Sequence, residues 1–383
     1  MFGLRGNIIT NGIMLNNWVL VVEDDHIYSL TREADNIQIE SLDDCFIVPG
    51  FVDIHTHGAV GYDVMDCNPE GIVKMAEFLA SHGITSFLPT TTTLDLDTTL
   101  RAISAVETAK DLNKNGAKIL GIHLEGPFIN PKHKGAQNEE YIVEPTKEIL
   151  EKLTASKLVR LITIAPEVSG AITAIRYLRD KDIYVSLGHS DATYEDTIKA
   201  VIAGATQITH LFNGMRTFHH REPGIIGAGL VEDSLRCQVI ADGIHIHFSA
   251  IRLAYRTKGY ENIILISDSM SATGLSDGEY ELGGLKVTVR SGAPRLPDGR
   301  LAGSTLTLDV AVKNMVNKAQ IPLPFVIEMA SRVPAKSIGE AFIGSFSYGN
   351  KADIVVLDRA FNVVRTYVDG RLVYSSDSWH FLQ

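Results

Sequence analysis

The pattern that most restricts the fold is an eightfold alternation of a short apolar run, a loop and a stretch of helical periodicity, spread over residues 51–340. The apolar runs are "FVDIHTH", "TSFLPTTT", "AKILGIHLEG", "RLITIAPE", "IYVSLGHS", "TQITHLFN", "RCQVIADG" and "NIILISDS". In the intervening stretch "PEGIVKMAEFLASHG", Ile72, Met75, Ala76 and Leu79 fall on one helical stripe, and "LDTTLRAISAVETAKDL" also reads as a helix. Strands separated by helices return in the same direction, so the sheet is expected to be parallel. Eight such units predict a (β/α)8 TIM barrel, whose reactive groups stand at the C-terminal ends of the strands. An open doubly wound sheet is the competing arrangement, but no GxGxxG turn follows the first strand.

The chain ends read differently. "NIITNGIMLNNWVLVVEDDHIYSL" and "ADIVVLDRAFNVVRTYVDGRLVYSS" are β-rich runs broken at Asn-Gly and Asp-Asp. They are expected to pair into a small β-sandwich domain built from residues 1–50 and 341–383, beside a barrel domain of residues 51–340. This gives an α/β protein overall. A chain of 383 residues, 45% hydrophobic and 21% charged, can bury cores of that size.

A formal net charge of -11 argues against nucleic acid as the partner, because polyanion binding needs a surplus of Lys and Arg. Cys45, Cys67 and Cys237 form neither a CxxC pair nor a disulfide framework, which suits a reducing cytoplasm. No apolar run approaches the roughly 20 residues of a membrane span, and the N-terminus lacks a signal-type core. A cytoplasmic protein without a membrane partner is expected.

Six residues that can bind metal fall at strand ends: His55 and His57 on the first strand, Glu125 on the third, His189 on the fifth, His210 on the sixth and Asp268 on the eighth. Alternate residues of a strand share a face, so His55 and His57 point the same way. Taken singly, a buried histidine is usually a packing residue, and either carboxylate could be a helix cap. Convergence of all six on one barrel mouth points to a metal site. Imidazole and carboxylate donors without thiolate suit Fe, Zn, Mn or Co better than Mg or Ca.

The order HxH, Glu, His, His, Asp on successive strands resembles the amidohydrolase superfamily. The segments "PGFVDIHTHG", "HLEGPFINPKHKGAQ", "LGHSDAT", "THLFNGM", "HHREPG", "ADGIHIH" and "SDSMSATG" are similar, within it, to the family of N-acetylglucosamine-6-phosphate deacetylases. The likeness runs nearly end to end, and "GNKADIVVLD" belongs to it. It implies hydrolysis of N-acetyl-D-glucosamine 6-phosphate to D-glucosamine 6-phosphate and acetate, in amino-sugar catabolism and cell-wall recycling. Asp268 is the implied general base and then acid.

Family members with a single metal lack the first histidine pair and carry a histidine where this chain has Gln137. Here the pair is intact. The resemblance therefore implies two divalent ions, Fe or Zn first and Mn or Co next, with His55 and His57 holding one, His189 and His210 the other, and Glu125 bridging. No lysine ends "LITIAPE" to supply the carbamylated bridge of other amidohydrolases.

For the substrate, the resemblance implies Gln137, backbone groups at Asn213 and Gly214, and a phosphate held by Arg221 and His245. It further implies a homodimer in which the Arg221 loop reaches the neighbouring site. Guanidinium and imidazole both suit a phosphate, although spacing alone is equally consistent with a surface arginine and a core histidine.

Several residues read more plainly. His123 is expected to pack in the lumen. His26, His82, His247 and His380 carry no expected role, and His133 and Lys134 are expected to be solvated or at an entrance rather than catalytic. His219 and His220 fit either a phosphate pocket or a polar interface loop. Ser304 is expected to cap a helix over the barrel mouth.

Three alternatives stand beside the leading function: an N-acetylgalactosamine-6-phosphate deacetylase, an N-acyl amino acid hydrolase, and a non-enzymatic scaffold. The first differs by an epimeric contact. The second would leave Arg221 and His245 without a phosphate to hold, and the third sits poorly with six intact metal-site residues. An adenosine-deaminase-like reaction is disfavoured because "HSDATYED" lacks HxxE.

Overall fold

A computed structural model describes residues 1–376 of the chain. His380 and the last residues of the segment assigned to the terminal domain lie outside them. Eight parallel strands follow one hydrogen-bonded path in chain order: Phe51–Thr56, Ile84–Thr91, Ile122–Glu125, Val159–Ile164, Tyr184–Leu187, Gln207–Ile208, Arg236–Ile240 and Ile263–Ile266. A two-residue strand, Lys118–Ile119, pairs beside the second. The path closes just above the last strand, where the Asp268 amide donates to the His55 carbonyl at 2.9 Å and the His57 amide to the Ser269 carbonyl at 2.8 Å. The closing contacts therefore join two strand ends that each bear candidate ligands.

The expected helices form at Pro69–Ser81 and Leu96–Leu112. Their entries are capped: the Asn68 side chain accepts from the Gly71 amide, and the Asp95 side chain from the Thr98 amide. Ile72, Met75, Ala76 and Leu79 are buried in the core shared by helices and strands, as their stripe predicts.

The chain ends form one seven-stranded sheet with its own apolar cluster around Leu20, Ile47, Ile354 and Val356. Within it, Ile39–Pro49 pairs in parallel with Phe2–Thr10 and antiparallel with Ile354–Leu357. That strand runs through Gly50 straight into the barrel. A Cβ at Gly50 would lie 2.1 Å from Thr85 Oγ1, so only glycine permits this junction.

A partly buried charge cluster also ties sheet to barrel: Lys118 Nζ lies 2.8 Å from the buried Asp353 and 2.7 Å from Asp369. Burial pushes the Asp353 carboxyl up, and Lys118 opposes that shift. Lys118→Met should destabilise the protein by about 2–4 kcal/mol, because it leaves a buried carboxylate uncompensated. An unchanged midpoint in chemical denaturation would show that apolar packing alone joins the two parts.

One element was absent from the sequence reading. After the eighth strand the chain makes a three-stranded antiparallel sheet, Gly278–Leu282, Leu285–Arg290 and Ala293–Arg295, over a small core of Met270, Leu282, Val287 and Leu296. Ser304 departs from its expected place as a helix cap. The helix begins at Leu308 with Thr307 before it, while the Ser304 hydroxyl donates to the Ser267 carbonyl at 2.6 Å. Its amide donates to the Asp268 carbonyl at 2.7 Å, so Ser304 braces the closing strand instead.

Candidate active site

The six strand-end residues meet. His189 and His210 Nε2 lie 3.1 and 3.0 Å from Glu125 Oε1. His55 Nε2 is 3.3 Å from the same oxygen, and His57 Nε2 is 3.3 Å from Oε2. Asp268 Oδ1 stands 3.4 and 3.3 Å from the Nε2 atoms of His55 and His57. All six are buried. Two metal-competent triads result, His55–His57–Glu125 and Glu125–His189–His210, sharing Glu125.

Backbone conformation aims the later residues. His189, His210 and Asp268 have φ of 49°, 31° and 53°, the left-handed region that side chains rarely adopt. Each lies just beyond a regular strand, and the turn swings its side chain towards the axis. Such backbones persist only where the surroundings fix them, and they gather at functional sites.

The outer nitrogens explain why the inner ones are free. His57 Nδ1 meets the Thr90 carbonyl at 3.1 Å, His189 Nδ1 the His133 carbonyl at 2.9 Å and His210 Nδ1 the Asn213 carbonyl at 3.1 Å. Carbonyls only accept, so each of these rings carries its hydrogen on Nδ1 and turns Nε2 inward.

His55 Nδ1 meets Gln238 Oε1 at 3.2 Å, and Gln238 Nε2 donates to Gln207 Oε1 at 3.1 Å. Gln207 Nε2 in turn donates to the Ser337 carbonyl at 3.0 Å, which fixes the direction of the whole chain. Inward-facing Nε2 atoms lie 3.2 Å apart between His55 and His57, and 3.1 Å apart between His189 and His210. Nitrogens at that distance need positive charge among them, a proton or a metal ion, and the carboxylates beside them favour it. The donor set therefore fits a divalent metal, oriented as metal-binding histidines usually are.

The surrounding imidazoles also act on the carboxylates. Burial pushes Glu125 up, yet His55 and His189 outweigh it and hold the carboxyl well below its usual range. Asp268 is likewise held low against burial by His55 and His57. His123 packs edge-on against His55, with ring centroids 4.6 Å apart, as a lumen residue should. Burial pushes its imidazole well below the ordinary value.

Gln238 and Gln207 escaped the sequence reading. Both occupy buried positions on barrel strands, and the polar residue inside "RCQVI" was the available signal. Gln238→Leu should weaken divalent-metal affinity about 10- to 100-fold by releasing the His55 tautomer. Chelator competition would read this, and unchanged affinity would mean that packing alone orients the ring.

Glu125, His57, His189, His210 and Asp268 open onto a cavity of about 380 Å³ that Gln137, Asn213, Gly214 and His245 also line. Gln137 Nε2 donates to Glu125 Oε2 at 2.6 Å, and its Oε1 accepts the Thr93 amide at 2.5 Å. It thus steadies the shared carboxylate. A Cβ at Gly214 would lie 3.1 Å from His189 Nδ1, on a backbone with φ of +59°, so glycine keeps this wall close.

The loop stands at the cavity entrance, with His133 at its edge. His133 is partly buried against Asp191 at 2.9 Å while its carbonyl holds His189, and Lys134 pairs with Glu139 at 2.5 Å. Lys132 and Arg300 line the same cavity and were not singled out from sequence. Arg300 comes from the inserted segment and donates to the Gly135 carbonyl at 2.7 Å.

Arg221 does not join this group within one chain. It is exposed beside His219 and His220, with Nη1 2.9 Å from His220 Nε2. A larger hollow of about 720 Å³ is lined by Asp63, Asp66, Glu279, Glu281 and Lys286, and none of the six strand-end residues reaches it.

A closed parallel barrel with histidines and carboxylates at its C-terminal mouth defines the class, and a model of the amidohydrolase family matches residues 46–373. The chain belongs to the amidohydrolase family. It is 40% identical to the N-acetylglucosamine-6-phosphate deacetylase of Vibrio furnissii, covering 91% of this chain and 87% of that one. It is also 39% identical to the N-acetylgalactosamine-6-phosphate deacetylase of Escherichia coli O157:H7, over 95% and 97% of the two chains. Among solved structures, a variant of the Mycobacterium smegmatis N-acetyl-D-glucosamine-6-phosphate deacetylase in complex with N-acetyl-D-glucosamine-6-phosphate superposes with a TM-score of 0.93. It is 30% identical and covers 98% of this chain and 99% of that chain.

Proposed function

We propose that this chain hydrolyses N-acetyl-D-glucosamine 6-phosphate to D-glucosamine 6-phosphate and acetate, in amino-sugar catabolism and cell-wall recycling. The carrying observation is the pair of histidine couples clasping one carboxylate, with Asp268 beside the first couple and facing the same cavity. We assign two divalent ions, iron or zinc before manganese or cobalt: His55 and His57 would hold one, His189 and His210 the other, and Glu125 would serve both. When bound, such ions polarise the acetyl carbonyl and make hydroxide available near neutral pH.

Asp268 takes the proton released as water oxygen bonds to the acetyl carbon. It then delivers that proton to the sugar nitrogen as the C–N bond breaks, leaving acetate and a free amine. The reading places the sugar against Gln137 and the backbone at Asn213 and Gly214, and the phosphate at His245. It completes the phosphate site with Arg221 of a second copy in a homodimer. Exposure of Arg221 outside its own cavity supports that assignment. A cytoplasmic setting belongs to the same reading, supported by three unpaired cysteines; no described helix is long and apolar enough to cross a membrane.

A second substrate, N-acetylgalactosamine 6-phosphate, is supported by the Escherichia coli relative. The deciding experiment measures acetate release from both phosphorylated sugars and from unphosphorylated N-acetylglucosamine, after reconstitution with Fe, Zn, Mn or Co. A strong preference for the phosphorylated glucosamine derivative, with slow release from the other two sugars, is expected. No release from any sugar would remove the proposal, and preference for the galactosamine derivative would reassign the substrate.

A further inference from the structure

Beyond the residues already assigned, the turn after the seventh strand contains a buried acid–imidazole pair. Asp242 Oδ2 lies 2.6 Å from His245 Nδ1, with side-chain exposures of only 10% and 5%. The other carboxylate oxygen, Oδ1, accepts the amides of Ile244 and His245, both at 2.8 Å. Three donors on one carboxylate fix both the turn and the imidazole plane. Burial pushes the Asp242 carboxyl up, but His245 and these amides bring it below its ordinary value, so it holds a full negative charge.

His245 lines the active cavity, and its ring makes no other hydrogen bond among the described residues. With Nδ1–H given to Asp242, Nε2 is the atom left for a ligand. A phosphate dianion only accepts hydrogen bonds, so Nε2 must meet it as N–H. The ring then carries both protons and a positive charge in a buried place, and the adjacent carboxylate balances it.

We infer that Asp242 is a positioning residue for the substrate phosphate: it holds His245 as a charged, forward-facing donor and makes the cavity selective for phosphorylated sugars. The inference rests on the proposed assignment of His245 to phosphate. Asp242 touches no reacting atom, so its removal should act on binding and leave the chemical step intact. Asparagine has the same shape and lacks the charge; facing His245 with its amide nitrogen, it would leave a neutral ring.

The test uses the metal-loaded protein and inorganic phosphate as the probe, followed by calorimetry. Asp242→Asn should weaken phosphate binding about 10- to 100-fold, the range expected for a hydrogen bond between charged groups. In the His245→Gln background the same substitution should add less than about twofold, because the ring it serves is gone. Kinetics supply the second readout. KM for the phosphorylated substrate should rise in the same proportion with kcat nearly unchanged, while kcat/KM for unphosphorylated N-acetylglucosamine stays constant.

Equal phosphate binding in both proteins, no phosphate binding by the unsubstituted protein, or a parallel loss on phosphorylated and unphosphorylated sugars would each overturn the inference. If the asparagine variant does not fold, Asp242→Ser keeps an acceptor for the two amides, and its phosphate affinity is read against the same expectation. Absence of acetate release by the unsubstituted protein would strike the proposed reaction alone, since the phosphate titration does not depend on turnover.

Discussion

Asp268→Asn should lower turnover about 10²- to 10⁴-fold, the usual contribution of a positioned proton-transfer group, while leaving metal content unchanged. The side chain keeps its shape, and neither metal-competent triad includes it. What disappears is the ability to accept a proton, since an amide oxygen is a far weaker base. Metal analysis and acetate release on the same preparation separate the two effects. Residual activity within tenfold of the original would end the proton-transfer role, and loss of metal would recast Asp268 as a ligand first.

Glu125→Ala should be more severe because both triads share that residue. Losing a group that merely orients a ligand costs roughly 10- to 100-fold in metal affinity, and loss of a shared ligand should exceed that at both positions. It also leaves four inward-facing imidazoles without their common negative partner. Plasma emission analysis should find less than one ion per chain and no measurable turnover. Chelation of the unsubstituted protein should reproduce the inactivity, and Fe or Zn should reverse it. Two ions retained by the alanine variant would refute a bridging carboxylate.

Much of the fold could be read from periodicity, because each strand is only two to eight residues long and its surroundings repeat every unit. The helices at Pro69–Ser81 and Leu96–Leu112 coincide with their apolar stripes for this reason. The inserted sheet at 278–295 was missed because its strands carry mixed, half-exposed residues and interrupt the last barrel unit between its strand and its helix. Ser304 was misread because a Ser-Thr run before an apolar stretch looks like a cap, whereas the backbone of the closing strand claims its hydroxyl first.

The candidate ligands were equally readable, since strand ends converge once a barrel is accepted. Their orientation was hidden. The groups that turn His57, His189 and His210 inward are carbonyls of Thr90, His133 and Asn213, and a carbonyl leaves no mark on a sequence because every residue has one. Gln207 and Gln238 are 31 residues apart and become partners only because their strands are neighbours in the barrel.

The sequence by itself determined the eight βα units, the six residues at the mouth and the amidohydrolase likeness, because each is a matter of residue type at a spacing that local geometry fixes. Only the tertiary structure decided that the imidazoles expose Nε2, that Gln137 is bound to Glu125, that Asp242 backs His245, and that Arg221 stands apart from its own cavity. Those outcomes depend on the directions of individual hydrogen bonds, some across the barrel and some, like Asp242 to His245, within one turn, and a residue type at a given spacing does not state a direction.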